Sequence, residues 1–243
     1  VLFHKAWYDA CITPAKINTL GNAITTVQKL TKEVVSYIPS YVNFGEIGMS
    51  YTQDPTTLLQ CVLLYDSSDG EELGRLISSQ LLRSFLDEFD SFDFIKSTGM
   101  VDVSRFATFG TKLHDAIRSA VGPVLENLVA QKGLLQAIIV YEDGKTHADS
   151  GVGQEISLAA NIQHLITLSR SFGQEKGGKN FTYLETPDKV VLIYRLQLDG
   201  SLVCICKRMI GQKQANKSEY LASCAAASGL LDKVGRIANN LHT

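Results

Sequence analysis

One segment, residues 171–185 (SFGQEKGGKNFTYLE), comes close to a motif that binds nucleotides. Gly173, Gly178 and Lys179 fit the phosphate-binding loop G-x-x-x-x-G-K-[ST], in which backbone N–H groups hold phosphates and the last hydroxyl holds magnesium. Asn180 stands where that hydroxyl is needed. Such a loop also follows a strand and opens a helix, whereas the surrounding pattern predicts a helix before it and a strand after it. We therefore interpret Gly173 as the glycine that ends a helix, and we predict no nucleotide binding.

The other titratable and nucleophilic residues form no recognised catalytic pattern. The five histidines lack the spacing of metal ligands, and the five cysteines are not spaced as a zinc site. Cys204 and Cys206 lie two residues apart in a strand-like run, so both face one side of a sheet, where buried reduced thiols are the simplest interpretation. We therefore expect no catalytic residue, no bound metal and no cofactor.

Two charged clusters each leave two interpretations open. The acidic cluster lies at the end of a predicted helix among phenylalanines, and it either binds a cation or a basic partner or is a solvated helix end. The basic cluster follows the last predicted hairpin, and it either contacts anionic lipid or a partner or is a charged sheet edge. The two clusters are Asp87, Glu88, Asp90 and Asp93, and Lys207, Arg208, Lys213 and Lys217.

The composition is that of an ordinary globular protein. Of the 243 residues, 45% are hydrophobic and 20% are charged, and no apolar run is long enough for a membrane-spanning helix. A formal net charge of −2 argues against a nucleic-acid partner. Free thiols and the lack of a signal-peptide pattern favour the cytoplasm.

The carboxy-terminal half predicts five strands and flanking helices. The run LLQAIIVY, an Asp143-Gly144 turn and KTHADSG form a first hairpin. A helix over residues 154–172 follows, and then come three strands, NFTYLE, KVVLIYRLQL and SLVCICKRM. The last helix opens at Asn216. Its apolar stripe is Tyr220, Cys224, Ala227, Leu231, Val234, Ala238 and Leu241.

The amino-terminal half predicts a shortened version of the same unit. Thr13-Pro14 opens a helix, two strands follow, and a second helix starts at Asp69 with Glu72 as its capping partner. A further amphipathic helix begins near Arg105. The first helix has the apolar stripe Ile17, Leu20, Ile24, Val27, Thr31, Val34 and Ile38, and the second turns Leu73, Leu76, Ile77, Leu81, Phe85 and Phe89 inward. The predicted fold class is therefore α+β, with two related modules that each pack an antiparallel sheet with helices.

These patterns resemble two known families. GLLQAIIVYEDGKTHADSG and KVVLIYRLQLDGSLVCIC are similar to the first and last hairpins of the roadblock, or dynein light-chain, module. LLQCVLLYDSSDGEELGRLISSQLLRSFLDEF resembles the end of the related longin fold. The resemblance implies a longin-like module over residues 1–95 without its first strand, a connector and helix over 96–122, and a roadblock-like module over 123–243.

The resemblance also implies a role in binding rather than in catalysis. Longin and roadblock modules build subunits or scaffolds of complexes that regulate small GTPases or vesicle and lysosome trafficking. We expect other longin or roadblock subunits and a small GTPase as partners, in a homo- or hetero-oligomer. We expect a cytoplasmic location, recruitment to an organelle membrane and at most peripheral membrane contact. The alternatives are a structural component of a dynein or ciliary assembly, and a small-ligand-binding or enzymatic α+β protein.

Two sets of residues follow from this interpretation. The sheet edge and helix of the carboxy-terminal module are the predicted partner interface, formed by Leu158, Ile162, Ile166, Phe181 and Tyr183. The acidic connector DEFDSFDFIKS is too apolar for a flexible tether, so we expect Phe92 and Phe94 to be buried between the two modules.

Overall fold

The computed structural model is a mixed α+β protein in which antiparallel sheets are packed with helices, as the sequence predicts. The chain divides into unit 1, which is Val1–Arg118 with Ile237–Thr243, and unit 2, which is Ser119–Arg236. The structure describes residues 3–5, 14–89, 103–142, 145–148, 164, 166–167, 181–196, 200–208 and 215–240.

The described residues of unit 1 form a three-stranded antiparallel sheet of order β1-β2-β3. Two 3₁₀ segments, Ser67–Asp69 and Val103–Lys112, accompany its helices. The elements are α1 (Pro14–Val35), β1 (Tyr41–Asn43), β2 (Ile47–Gln53), β3 (Gln60–Asp66), α2 (Glu71–Glu88) and α3 (Leu113–Arg118).

The two faces of this sheet contact different helices because side chains alternate along each strand. One face presents Met49 and Tyr51, which pack with Ile24 of α1. The other face presents hydroxyls toward α2: Ser50 Oγ and Tyr65 Oη lie 2.9 Å apart. We call this second contact the hydroxyl seam; Thr52 and Ser78 complete it, with their side-chain oxygens 2.8 Å apart.

Aromatic rings hold residues 103–118 to α2. The Phe85 and Phe89 rings lie 5.4 and 5.0 Å from the Phe106 ring, and the Phe109 ring lies 5.1 Å from Phe85. Such pairs add stability beyond the area that they bury.

Three sequence predictions in unit 1 were wrong in detail. The stripe of α1 turns Val27 and Val34 outward, while Gln28 is buried. Asp69 is not the N-cap residue of α2: a 3₁₀ turn capped by Asp66 comes first, and Gly70 occupies the N-cap without a side-chain hydrogen bond.

The predicted helix near Arg105 is instead a 3₁₀ segment followed by the short α3. The reason is local, because threonine is a weak helix former and its hydroxyl competes for backbone carbonyls. Thr108 Oγ1 donates to Arg105 O at 3.2 Å, and Thr111 Oγ1 donates to Thr108 O at 2.8 Å.

Unit 2 contains a five-stranded antiparallel sheet of order β5-β4-β8-β7-β6. The predicted strands and final helix are confirmed. The buried stripe of that helix is also confirmed for Cys224, Ala227, Leu231, Val234 and Ala238. The elements are α4 (Val121–Val129), β4 (Leu134–Tyr141), β5 (Thr146–Ala148), β6 (Phe181–Glu185), β7 (Lys189–Leu196), β8 (Gly200–Lys207) and α5 (Ala215–Asn240).

Candidate partner-binding surfaces

Strand β6 is an edge of the unit 2 sheet. Thr186 N–H donates to Lys189 O at 2.9 Å, and this bond fixes which residues of β6 form backbone hydrogen bonds with β7. Since hydrogen-bonded positions alternate, Phe181, Tyr183 and Glu185 direct their backbone N–H and C=O groups away from β7. No strand in the described part of the chain pairs with that side of β6.

Half-buried side chains line this edge. The Phe181 ring stacks on Tyr194, with centroids 5.2 Å apart. The Tyr183 hydroxyl donates to Glu185 Oε2 at 3.2 Å, and Arg208 Nε lies 3.0 Å from Glu185 Oε1. Burial raises the pKa of Tyr183, so its hydroxyl stays protonated at neutral pH and remains a donor.

The structure separates the residues of the predicted partner interface. Phe181 and Tyr183 pair with Tyr194 and Leu192, and the Tyr194 hydroxyl donates to Leu221 O of α5 at 3.1 Å. Their side chains therefore lie on the α5 face of the sheet. Ile166 is buried in a cluster with Ile138, Val140, Ile193 and Val203, which are residues of the opposite face. Leu158, Ile162, Phe92 and Phe94 lie outside the described residues, so the interface and the inter-module packing stay predictions.

Sequence reasoning missed a second surface, on α1. Val27, Leu30 and Val34, which we call the α1 patch, are 51%, 54% and 81% exposed. Their spacing of three and four residues places them on one side of the helix. Nine of the ten large hydrophobic residues that are exposed in the described part of the chain lie between Val27 and Val62, so apolar surface is concentrated in unit 1.

Gln28 explains why the periodicity misplaced this surface. It is 5% exposed and lies close to the Tyr51 side chain of the sheet, and among the described residues its buried Nε2 has no hydrogen-bond partner. A glutamine that faces a sheet does not contribute to an apolar periodicity, so the sequence pattern assigned the buried position to the neighbouring Val27. The signal that could have found the surface is the i, i+3, i+7 spacing of the patch itself.

The buried thiols are poor nucleophiles. Cys204, Cys206 and Cys224 lie together between β8 and α5, fully buried. A hydrogen bond with Cys224, and burial, raise the pKa of Cys204 well above its usual range. Burial raises the pKa of Cys206 and of Cys61 to about 12. Because the thiolate is the reactive form, this arrangement favours packing over chemistry. Within the described ranges no cluster of His, Cys, Asp or Glu could hold a metal ion.

The phosphate-loop segment, residues 173–180, lies outside the described residues. Its flanks are described: Thr167 is helical and Phe181 begins β6. The described flanks are thus a helical residue before the segment and a strand after it, whereas phosphate binding requires a strand before and a helix after.

The charged clusters are only partly described. Glu88 forms an ion pair with Lys112, and Arg208 pairs with Glu185, so each cluster has one charge that is neutralised locally. Asp90, Asp93 and Lys213 lie outside the described residues. Among the helices that the structure describes, none has the length and apolarity to cross a membrane.

Comparison with known proteins gives similarities of structure only. No family model and no curated protein matches the chain. MglB of Myxococcus xanthus is similar at 17% identity and a TM-score of 0.37, over 48% of this chain and 94% of MglB. A roadblock/LC7 domain from Streptomyces avermitilis is similar at 17% identity and a TM-score of 0.37, over 48% of this chain and 95% of that domain. MglC of Myxococcus xanthus is similar at 16% identity and a TM-score of 0.31, over 46% of this chain and 95% of MglC.

Proposed function

We propose that this protein is a non-enzymatic subunit or scaffold of a complex that regulates a small GTPase or vesicle and lysosome trafficking. The α1 patch is the observation that carries the proposal. A helix side with three large apolar residues at least half exposed is costly in water and typical of a surface that another protein covers. Strand β6, the last strand of the described unit 2 sheet, offers a second surface of the kind that sheet-forming partners use.

The class of partner comes from the sequence. The resemblance to longin and roadblock modules favours other subunits of those families and a small GTPase, bound in the cytoplasm at an organelle membrane. The raised pKa values of the Cys61 and Cys206 thiols fit a binding role, because a protonated thiol is a poor catalyst.

Affinity purification with quantitative mass spectrometry tests this proposal. The full chain is tagged at its native expression level, as wild type and as the triple variant Val27→Ser, Leu30→Ser, Val34→Ser. We expect longin or roadblock subunits and a small GTPase with the wild type, and their loss with the variant. The control is Lys29→Ser, Glu33→Ser, which changes two exposed residues of the same helix and should keep the partners.

A direct assay then tests regulation. The recovered GTPase is purified, loaded with GDP or a GTP analogue, and titrated with the complex. A preference for one nucleotide state, or a change in the rate of nucleotide release, supports the proposal. Specific partners without any small GTPase or trafficking protein would refute it, and enrichment of dynein or ciliary subunits would favour the structural alternative.

A further inference from the structure

The turn between β6 and β7 presents a threonine hydroxyl at the surface of unit 2. Thr186 and Pro187 are both exposed, as are the residues on either side of them. A threonine followed by a proline is the pattern that proline-directed serine/threonine kinases select. The sequence contains one other such pair, Thr13-Pro14, and its threonine lies outside the described residues.

Proline suits this position for two physical reasons. It restricts the residue before it to extended backbone conformations, in which protein kinases bind the segment that they modify. It also has no backbone N–H, so a kinase pocket that offers that group no acceptor rejects other residues at this position and accepts Pro187. Since residues 185–189 are all exposed, the turn can open locally without uncovering the core.

The Thr186 hydroxyl helps to close the turn in the unmodified chain. Its Oγ1 donates to Lys189 O at 2.9 Å and accepts from Lys189 N–H at 3.0 Å. The Thr186 backbone N–H donates to the same carbonyl at 2.9 Å. A phosphate on Oγ1 removes the hydroxyl donor but leaves this backbone bond, so phosphorylation changes the turn without abolishing it.

Arg208 reaches across this turn from the end of β8. Its Nη1 donates to Thr186 O and to Pro187 O, each at 3.4 Å, and its backbone N–H donates to Asp188 O at 2.9 Å. Its Nε lies 3.0 Å from Glu185 Oε1, and the two side chains are 43% and 42% exposed. Exposed ion pairs contribute little to stability, so the guanidinium can exchange Glu185 for a stronger anion with little loss.

The charges around the turn favour a phosphate. Lys189 and Lys207 are partners in the β7–β8 ladder, and like charges directly opposite each other repel. These two ammonium groups and Arg208 lie beside a turn that also holds the carboxylates of Glu185 and Asp188. A phosphothreonine carries about −1.5 to −2 charges at pH 7, so it reduces the repulsion between the lysines. It also offers Arg208 a stronger partner than a single carboxylate.

We propose that Thr186 is a phosphorylation site for a proline-directed serine/threonine kinase and that Arg208 binds the phosphate and releases Glu185. In the transfer, Oγ1 attacks the γ-phosphorus of MgATP, the bond from that phosphorus to the bridging oxygen breaks to leave ADP, and the hydroxyl proton passes to the catalytic carboxylate of the kinase. Because Glu185 accepts the Tyr183 hydroxyl, its release alters the β6 surface. This site does not depend on the proposed function.

Phosphopeptide mapping of the full chain after incubation with MgATP and a cyclin-dependent kinase tests the site. Thr13→Val is the background, because Thr186 is then the one hydroxyl residue that precedes a proline. We expect phosphate on Thr186 and its loss in Thr186→Val. The control Thr186→Ser keeps the hydroxyl and should be modified. Pro187→Ala introduces an N–H after the acceptor and should slow the transfer.

A second variant covers a folding defect. If circular dichroism shows that Thr186→Val is misfolded, Thr186→Asn replaces it, because an amide can both donate to and accept from the Lys189 backbone but takes no phosphate. The α1-patch triple variant should be phosphorylated like the wild type, which separates this result from a failure of the proposed function.

Phosphorus NMR tests the role of Arg208. The second pKa of a phosphothreonine is about 6, and a cation held against the phosphate lowers it. The phosphate pKa should therefore be lower in the phosphorylated wild type than in phosphorylated Arg208→Gln, by about half a pH unit or more. The control Arg195→Gln changes an exposed arginine near the other end of β7 and should leave this pKa unchanged. A folded chain that the kinase leaves unmodified at Thr186, or an equal phosphate pKa in the wild type and Arg208→Gln, would overturn the proposal.

Discussion

Gly74 of α2 carries a strong prediction about the stability of unit 1. The Gly74 Cα lies directly over the hydroxyl seam, and a Cβ there would lie deep inside van der Waals contact of the Tyr65 ring, the Tyr65 hydroxyl and Ser50 Oγ. Gly74→Ala gains about 1 kcal/mol of helix propensity. Overpacking typically costs about 1–3 kcal/mol, and separating Ser50 from Tyr65 leaves a buried hydroxyl unpaired at about 1–3 kcal/mol. The summed loss of about 2–6 kcal/mol exceeds the gain, so we expect a net destabilisation of about 1–5 kcal/mol.

Denaturant unfolding of the full chain measures this effect, and hydrogen exchange of the β2–β3 amides assigns it to unit 1. The matched control is Gly229→Ala in α5, where a Cβ would meet nothing within 4 Å and alanine should stabilise. Adding Tyr65→Leu to Gly74→Ala makes room for the methyl, so the double-mutant cycle should show a favourable coupling of about 1 kcal/mol or more. If Gly74→Ala stabilises the chain as much as Gly229→Ala does, the packing argument is wrong.

Three further predictions concern unit 2. The Cys206 thiol, whose pKa is raised to about 12, stays protonated in the folded state while the unfolded thiol ionises near its usual pKa. The free energy of unfolding should therefore fall as the pH rises from about 9 toward 12, by up to about 1.4 kcal/mol per pH unit. Thermal melts of Cys206→Ala should show a shallower fall over the same pH range. Tyr194→Phe removes the hydrogen bond to Leu221 O and should cost about 0.5–1.5 kcal/mol in denaturant unfolding; an unchanged midpoint would contradict the value of that bond. Titration calorimetry with MgATP or MgGTP should detect no binding to the wild type or to Lys179→Ala, and micromolar affinity that disappears in the variant would restore the phosphate loop.

Elements with a strong periodic signal could be predicted from the sequence. The α2 residues Leu73, Ile77 and Leu81 and the α5 residues Cys224 and Val234 are buried as their helical spacing indicates. Strand β4 was also predictable, because a run of eight residues that is apolar except for Gln136 and is bounded by turn signals fits a largely buried strand.

The side of α1 that faces the sheet could not be predicted in the same way. Adjacent helical residues differ in direction by about 100°, so burial of Gln28 turns Val27 outward. Periodicity identifies an apolar stripe but not the element that covers it. The stripe of α1 is divided: Ile24 packs on Met49, while Val34 faces solvent.

The candidate surfaces depended on features that residue types do not encode. Whether a strand such as β6 is the last strand of its sheet depends on how many strands join that sheet, which the residues of a single strand do not reveal. Ile166 and Phe181 were predicted to share one interface because the helix and the strand that contain them follow each other along the chain. The pairing of Phe181 with Tyr194 and the cluster around Ile166 assign them to opposite faces.

The hydroxyl seam has a consequence for how unit 1 can move. Helices packed on sheets through smooth apolar surfaces can slide by an ångström or two, and many conformational switches use such shear. Here the Thr52–Ser78 hydrogen bond links β2 to α2 and fixes the position of the helix along the strands, while the Ser50–Tyr65 bond holds the Tyr65 ring in place beneath it. Gly74 adds a steric stop, because only the residue without a Cβ fits over Tyr65. A displacement of α2 should therefore move the sheet of unit 1 with it as one rigid body, because the helix cannot slide along the strands.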